Sequence, residues 1–233
     1  MNNLERPIVD VEDEGEGSSQ AVAAWQILRE DILSGELAPQ TRLRIGMLNR
    51  KYKIGPSPLR EALSRLVSEN LVVSLDRRGF MVVPISLADF RDLTDMRKML
   101  EKQALEQSLK HGDEKWEAAL VAALYRLERV QERIDRGDDT AINEWEGLNK
   151  AYHDALVSAC PSGWLLRLRE QVYVCAERYR RICLSTKSIE RNVKQEHDQI
   201  RTAALARNMQ ALAPLIDQHL ERTFKKVAGS GKL

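Results

Sequence analysis

Three histidines lie at helical spacing within apolar segments, and their side chains are suited to binding a metal ion. His153 follows Asn149 by four residues, which puts the two side chains on one helix face. His197 and His219 each fall within an apolar series of helical period, so all three imidazoles are predicted to point inward from separate helices. Neutral imidazole is a common nitrogen ligand of zinc, nickel and related ions. A buried histidine can equally be a hydrogen-bonded core residue, so spacing alone leaves both interpretations open.

A basic segment lies in the N-terminal part of the chain. Residues 42–80 carry nine lysines and arginines against three acidic residues, a net charge of +6, whereas the whole chain has a formal net charge of +1. Such a concentration of positive charge indicates a nucleic-acid partner, although a solvated basic face fits the charge equally well. The candidate contacts belong to one helix face, the segment before it and a hairpin tip: Ser57, Arg60, Ser64, Arg65, Arg44, Arg77, Arg78 and Gly79.

The composition excludes several classes of protein. The chain has 233 residues, of which 43% are hydrophobic and 30% charged, as in folded globular proteins rather than disordered chains or fibres. The longest nearly apolar stretch, Ala118 to Leu124, is far shorter than the ~20 residues that span a bilayer. The three cysteines form no C-x-x-C pair, and the acidic N-terminus lacks the apolar core of a signal peptide. We therefore expect a cytoplasmic protein with reduced cysteines.

Helical spacing predicts how the basic residues are positioned. Residues 1–19, with six acids and one base, are expected to be a disordered acidic tail. Three helices are expected within residues 20–86, and apolar residues at i, i+3 and i+4 make the third the clearest. In this third helix we expect Ser57 to cap the N-terminus and Pro58 to occupy the first helical position.

Two strands are predicted after the third helix, at Leu71–Leu75 and Phe80–Val83, with a turn between them. Three helices followed by a hairpin is the element order of a winged helix-turn-helix. Such a unit inserts a helix into the major groove of DNA, where base edges can be distinguished, while flanking basic groups contact phosphates.

The rest of the chain is predicted to be helical throughout. Residues 87–228 show apolar spacing of period 3.6, interrupted by glycine, proline and polar joins. Six antiparallel helices are expected at 87–110, 113–136, 140–159, 162–185, 189–206 and 208–227, before a flexible end at 229–233. The expected fold is mainly α, with an N-terminal winged helix-turn-helix and a C-terminal all-α antiparallel helical bundle.

The third-helix segment resembles a known motif. Residues 54–66 read I-G-P-S-P-L-R-E-A-L-S-R-L, which is similar to the V-S-R-T-P-V-R-E-A-L-x-x-L motif of GntR-family bacterial transcription regulators. The E-N-L-V at 69–72 and the R-G-F wing tip at 78–80 follow in the family's order. The resemblance implies that Arg60 contacts the DNA backbone or a base edge. Pro56 replaces the family's groove-reading arginine. Recognition of the DNA sequence is therefore expected to depend more on the other candidate contacts, such as Ser57, Arg60, Ser64 and Arg44, and on the wing.

The bundle resembles the FCD ligand-binding domain of the FadR-type branch of this family. D-F-R-D-L at 89–93 and M-R-K-M-L-E at 96–101 look like its opening helix, and N-K-A-Y-H, E-H and H-L, starting at 149, 196 and 219, look like its metal motifs. The resemblance implies a divalent metal of the zinc, nickel or manganese kind, held by Asn149, His153, His197 and His219. A neutral Asn149, where many members have aspartate, implies weaker metal binding and more positive charge for an incoming anion.

The same resemblance implies a function. Many effectors of this branch are small organic acids, so the metal is expected to receive an effector carboxylate, assisted by Arg97, Tyr179 and Arg180. For Arg97, an ion pair with Glu101 one turn on is the alternative interpretation. The implied protein is a nucleoid-associated repressor, a homodimer that binds a palindromic operator and is released by the acid. Within the family the chain most resembles the carbon-starvation-induced (CsiR-like) regulators, which control dicarboxylate and amino-acid catabolism.

Two other functions fit parts of the sequence. If the metal itself is the signal, the protein is a metal sensor. Zinc held by three histidines also supports hydrolysis. The sequence suggests no acidic residue beside these histidines to act as a general base. Hydrolysis also does not explain the basic segment at residues 42–80. The sequence therefore favours a regulator over an enzyme.

Overall fold

The computed structural model describes residues 14–75, 79–184 and 192–231. The chain divides into two compact units, Met1–Pro84 and Ile85–Leu233. In the part of the first unit that the structure describes, three helices and three short strands follow in the order α1 (Glu14–Ser34), β1 (Arg42–Leu43), α2 (Ile45–Tyr52), α3 (Pro56–Ser68), β2 (Val72–Leu75) and β3 (Gly79–Val82). The winged helix-turn-helix expected from the sequence is confirmed.

Apolar residues at helical spacing bury one face of α1 against α3. Ala21, Ala24 and Leu28 on α1 and Leu63 and Leu66 on α3 are fully buried. Burying one leucine side chain contributes about 1.5–3 kcal/mol, so this contact is a main source of the unit's stability. The helix α1 is described from Glu14 onward, so it includes residues within the range expected from the sequence to be a tail.

Two acidic side chains tie the helices of this unit together. The indole Nε1 of Trp25 on α1 donates a 2.6 Å hydrogen bond to Glu69, which follows α3. Asp31, also on α1, accepts a 2.9 Å hydrogen bond from Lys51 of α2 and a second one from the hydroxyl of Tyr52. Both contacts fix the orientation of α2 and α3 relative to α1.

The sheet has one more strand than the sequence predicts. Its order is β1-β3-β2, and both pairs are antiparallel, with Arg42 and Val73 opposite Met81 on its two sides. The prediction missed β1 because a strand of two residues is too short to show alternation. It exists through its pairing with β3, which is distant in sequence.

The start of α3 also differs from the expectation. The helix begins at Pro56, with Gly55 at the N-cap and without a side-chain capping hydrogen bond. Ser57 therefore lies inside the first turn instead of capping it. Proline suits the first helical position because it has no N–H and its φ is already helical. Pro56 thus starts the helix two residues before Pro58, the residue expected to do so.

The second unit is helical throughout its described part. It contains α4 (Leu87–His111), α5 (Glu114–Asp135), a short 3-10 helix (Asp139–Ala141), α6 (Ile142–Val157), α7 (Gly163–Leu184), α8 (Val193–Leu205) and α9 (Met209–Ala228). Side-chain caps start five of these helices, as with Ser86, which accepts a hydrogen bond from the N–H of Asp89. The mainly α class predicted from the sequence is confirmed.

Two apolar clusters hold the bundle. The larger joins residues of α4, α5, α6, α8 and α9, with Leu105, Leu124, Tyr152, Ile200 and Ile216 at most 2% exposed. The smaller lies around Phe90 and joins α4, α7 and α9. No helix in the described ranges has the length and apolarity needed to cross a bilayer.

Candidate functional site

Three buried histidines from three helices meet in the bundle. His153 on α6, His197 on α8 and His219 on α9 are 3%, 2% and 6% exposed. Each offers one ring nitrogen, and these nitrogens all lie within 4.8 Å of one another. The ring centroids are 5.0–5.5 Å apart. The sequence-predicted inward direction of all three imidazoles therefore corresponds to one shared site.

The surroundings of His153 favour its neutral imidazole. The pKa of His153 lies well below its ordinary value because burial penalises the charged ring. The nearby rings of His219 and His197 and the guanidinium groups of Arg97 and Arg169 lower this pKa further. A neutral imidazole keeps a lone pair, which is the form that binds a metal ion. The donor set therefore fits a divalent transition metal.

A carboxylate positions one of the three rings. Oε2 of Glu196 lies 2.8 Å from Nδ1 of His219, and Nη1 of Arg222 lies 3.2 Å from the other carboxylate oxygen. The sequence interpretation, which found no acidic residue beside the histidines, is wrong at this point. Glu196 lies next to His197 in the chain, but its side chain reaches α9, a contact that sequence spacing does not reveal.

The backbone near the other two histidines is also held. The hydroxyl of Tyr152 donates a 2.8 Å hydrogen bond to the carbonyl of His197. Nη2 of Arg169 donates to the carbonyl of His153 at 3.0 Å. The first contact joins α6 to α8 and the second joins α7 to α6, so the backbone at both His197 and His153 is held in place.

Asn149 lies one turn before His153 and is 5% exposed. Its Nδ2 donates a 3.4 Å hydrogen bond to the hydroxyl of Tyr173 on α7. An amide whose nitrogen is engaged in this way keeps its oxygen as an acceptor or ligand atom. The placement is compatible with the role that the resemblance implies for Asn149.

Two of the three predicted effector contacts, Arg97 and Arg180, flank the ring of Tyr173. The guanidinium carbon of Arg97 on α4 is 4.9 Å from the ring centroid, and that of Arg180 on α7 is 4.5 Å away. The Tyr173 ring centroid is itself 6.5 Å from that of His153. The two arginines therefore lie beside the histidine cluster. The sequence interpretation missed Tyr173, which its position seven residues before Arg180, on the same helix face, could have indicated.

These two arginines are incompletely paired. Nη2 of Arg97 is 3.7 Å from Glu101, an ion pair too long for a hydrogen bond. Nη2 of Arg180 donates to Glu146 at 3.4 Å. Within the described residues, Nε of Arg97 and both Nε and Nη1 of Arg180 are buried without a hydrogen-bond partner. Burial and the charge of Arg180 lower the pKa of Arg97 to about 10.

Arg169 provides the contrast within the same bundle. Besides the carbonyl of His153, it donates to Glu101 at 2.8 Å and to Asp154 at 2.7 Å. These carboxylates raise its pKa despite burial. Arg169 is a structural cation, whereas Arg97 and Arg180 keep donors available for an anion.

Tyr179, the third predicted effector contact, lies elsewhere. Its ring stacks on Phe90 at 4.5 Å, in the smaller apolar cluster. Its hydroxyl donates to Asp89 and accepts a 3.3 Å hydrogen bond from the N–H of Ser86. Neighbouring residues of a helix point about 100° apart, so Tyr179 and Arg180 face different parts of the bundle. The structure does not bring Tyr179 together with the other two.

The predicted DNA contacts of α3 lie on its exposed face. Ser57, Arg60, Ser64 and Arg65 are exposed, whereas the opposite face of the helix is buried. Ser64 donates to the carbonyl of Arg60 at 2.9 Å, and Arg65 forms a 2.6 Å ion pair one turn back with Glu61. Arg60 is therefore the exposed arginine of this face that forms no ion pair among the described residues.

The other predicted DNA contacts flank α3. Arg44, at the N-cap of α2, is exposed. Gly79 opens β3 with a φ of +92°, in the left-handed region that favours glycine. Arg77 and Arg78 lie outside the described residues.

Comparisons with known proteins match both units. The family model described as "Bacterial regulatory proteins, gntR family" matches residues 20–82, and that of the FCD domain matches residues 92–222. The HTH-type transcriptional regulator BphR of Paraburkholderia xenovorans (strain LB400) is 42% identical, over 91% of this chain and 86% of its own length. The HTH-type transcriptional repressor GlaR of Escherichia coli (strain K12) is 35% identical, over 84% of this chain and 90% of its own.

Solved structures share the fold. E. coli McbR/YncC has a TM-score of 0.73 at 19% identity, covering 90% of this chain and 97% of that chain. A GntR transcriptional regulator from Rhodococcus sp. RHA1 has a TM-score of 0.70 at 22% identity, covering 91% and 99%. Together with the two family models and the similar sequences, these matches show that the chain is a GntR-family transcriptional regulator with a C-terminal FCD domain.

Proposed function

We propose that this protein is a metabolite-responsive repressor whose FCD domain holds a divalent metal ion and releases DNA when a small carboxylic acid binds beside that ion. The observation that carries the proposal is the cluster of three buried histidines next to two arginines with unused donors. GlaR, 35% identical, is named a transcriptional repressor, which supports the direction of regulation.

The metal would be held by His153, His197, His219 and the amide oxygen of Asn149. An ion of the zinc, nickel or manganese kind suits imidazole and oxygen ligands. When bound, it supplies positive charge that attracts a carboxylate. The protein's own contribution is to hold the three imidazoles close together, with His153 neutral, and to offer Arg97 and Arg180 to the part of the acid that the ion does not reach.

The DNA-binding step follows from the exposed face of α3. In the proposal, two copies of the chain form a cytoplasmic homodimer, and the two α3 helices read the halves of a palindromic operator in successive major grooves. By thermodynamic reciprocity, an acid that weakens DNA binding must itself bind more weakly to the DNA complex. The apparent affinity for the operator must therefore fall as the acid concentration rises.

The test uses the full chain, stripped with a chelator and then reloaded with zinc, nickel or manganese. Operator DNA is selected from a random library, and its affinity is measured with and without acetate, lactate, succinate, malate and citrate. The expected result is that at least one acid weakens DNA binding of the metal-loaded protein alone. If metal without acid already switches binding, the protein is a metal sensor. If neither has an effect, the proposal is wrong.

A pair of variants tests the ligand set. His197→Ala should lower the metal content measured by elemental analysis and abolish the response to acid, while DNA binding without effector stays close to wild type. His111→Ala is the control, because His111 is an exposed histidine of α4 that contacts the carbonyl of Gln107. Full metal occupancy in His197→Ala would contradict the proposed ligands.

A further inference from the structure

The polar groups beside the histidine cluster include unused acceptors as well as unused donors. Glu146 lies on α6, one turn before Asn149, and is 3% exposed. Its Oε2 accepts the long 3.4 Å hydrogen bond from Arg180, and its Oε1 is buried without a hydrogen-bond partner among the described residues. A buried carboxylate oxygen without a donor is unusual, because such groups are nearly always hydrogen-bonded.

The contact between Glu146 and Arg180 is loose compared with others in the same bundle. Arg181 reaches Oε1 of Glu177 with two nitrogens, Nε and Nη2, each at 2.9 Å. Arg180, by contrast, uses one nitrogen at 3.4 Å and keeps Nε and Nη1 without partners in the described part of the chain. Glu146 and Arg180 therefore present an acceptor and donors side by side.

The charges around this pair also favour a ligand group there. Burial raises the pKa of Glu146, and the neighbouring carboxylate of Glu177 raises it further, against the opposing effect of Arg180. A hydrogen-bond donor placed at Oε1 would stabilise the ionised carboxylate. A carboxylate placed at Arg97 and Arg180 would satisfy their donors in the same way.

We infer that the effector is a small carboxylic acid that also carries a hydrogen-bond donor, a hydroxyl or an ammonium group. Glu146 accepts from this donor, while Arg97 and Arg180 hold a carboxylate. The inference rests on the proposed function and narrows its ligand class from organic acids in general to hydroxy acids or amino acids. It makes Glu146 the residue that determines specificity.

The test compares acids that differ only in the donor. Binding to the metal-loaded full chain is measured by isothermal titration calorimetry for propanoate, lactate and alanine, and for succinate, malate and aspartate. In at least one series, the hydroxy or amino acid should bind at least tenfold more tightly than the parent acid. A preference for lactate or malate identifies the donor as a hydroxyl, and one for alanine or aspartate identifies it as an ammonium.

Glu146→Gln keeps the size of the side chain and removes its charge. If the protein prefers the amino acids, the variant should reduce their affinity relative to the parent acids at least tenfold. If it prefers the hydroxy acids, the reduction should be about threefold, because the amide oxygen of glutamine still accepts a hydrogen bond from a hydroxyl. Glu177→Gln is the matched control, since Glu177 is also buried but its Oε1 is already held by Arg181. It should leave the preference unchanged. Circular dichroism and the melting temperature verify that both variants are folded. If either variant does not fold, the comparison of the six acids on the wild-type protein still tests the inference.

The outcomes separate the inference from the proposed function. If the parent acids bind as tightly as their hydroxy and amino derivatives, ordered water satisfies Glu146 and the inference is wrong, while the proposed function stands. An equal loss of preference in Glu146→Gln and Glu177→Gln also overturns the role of Glu146. If none of the six acids binds, both the inference and the proposed effector class are wrong.

Discussion

Nδ1 of His219 lies 2.8 Å from Oε2 of Glu196, the residue that directly precedes His197. A carboxylate that accepts the Nδ1 proton leaves the lone pair of the ring on Nε2 and fixes the direction in which that nitrogen points. Arg222 contacts the second oxygen of Glu196 and so holds the carboxylate in place. Two consecutive residues of α8 thus serve the same cluster, one as a candidate ligand and the other as a positioning residue.

Replacing Glu196 by glutamine should weaken metal binding without removing a ligand. The amide cannot provide the charge that orients and strengthens the His219 ring, so we expect the dissociation constant for zinc to rise roughly 10–100-fold. Competition with a chromophoric chelator measures this change. Asp198→Asn is the control on the same helix, because Asp198 pairs with Arg201 and is half-exposed. Equal metal affinity in wild type and Glu196→Gln would refute the positioning role of Glu196.

Replacing Arg60 by alanine should weaken operator binding. The exposed guanidinium on α3 contacts either a base or a phosphate, and its loss should cost about 1–3 kcal/mol for a base contact or reduce the salt-dependence slope by about 1 for a phosphate contact. Fluorescence anisotropy at several salt concentrations measures both effects. Arg136→Ala removes an exposed arginine of the bundle and should leave both quantities unchanged. Unaltered DNA affinity in Arg60→Ala at physiological salt would refute the assignment of α3 as the recognition helix.

The two glycines Gly79 and Gly46 should respond to alanine with opposite signs. Gly79 has a φ of +92°, where an L side chain costs about 1–2 kcal/mol, so Gly79→Ala should destabilise the protein by that amount. Gly46 lies in α2 with nothing within 4 Å of an added Cβ. Gly46→Ala should stabilise the protein by about 0.4–1 kcal/mol by restricting the unfolded chain. Urea denaturation followed by circular dichroism measures both. If Gly79→Ala has the same free energy of unfolding as wild type, the positive φ at the wing does not require glycine.

The contribution of Glu221 to stability should depend on pH. Its carboxylate on α9 accepts hydrogen bonds of 2.7 and 3.0 Å from Arg91 and one of 2.7 Å from Lys98, both on α4. These contacts lower the pKa of Glu221 to about 2, below the value of about 4.3 in an unfolded chain. The stabilisation is therefore complete above pH 4.3 and is lost as the pH falls towards 2.

Glu221→Gln tests this dependence in urea titrations. The variant should be less stable than wild type at pH 7, and the difference should shrink between pH 5 and pH 3. Asp95→Asn is the control, because Asp95 faces the same two cations at 3.4–3.7 Å but is mostly exposed. If the difference between wild type and Glu221→Gln stays constant over this range, the carboxylate of Glu221 does not cause the pH dependence.

Much of the architecture follows from periodicity in the sequence. Apolar spacing of period 3.6 predicts the helices of both units and the inward direction of the three histidines. The R-E-A-L segment and the order of three helices and a hairpin predict the DNA-binding unit. These features depend on residues within about ten positions of one another, where the backbone period determines which side chains share a face.

The tertiary structure decided the rest, because it depends on residues that are far apart in the chain. Strand β1 exists only through its pairing with β3, and the carboxylate of Glu196 contacts His219 only because α8 packs on α9. Tyr173 lies beside the histidine cluster because α4, α6 and α7 meet around its ring, whereas Tyr179 is turned towards Phe90. The sequence by itself determined which side chains point inward. Packing between helices determined which of them meet.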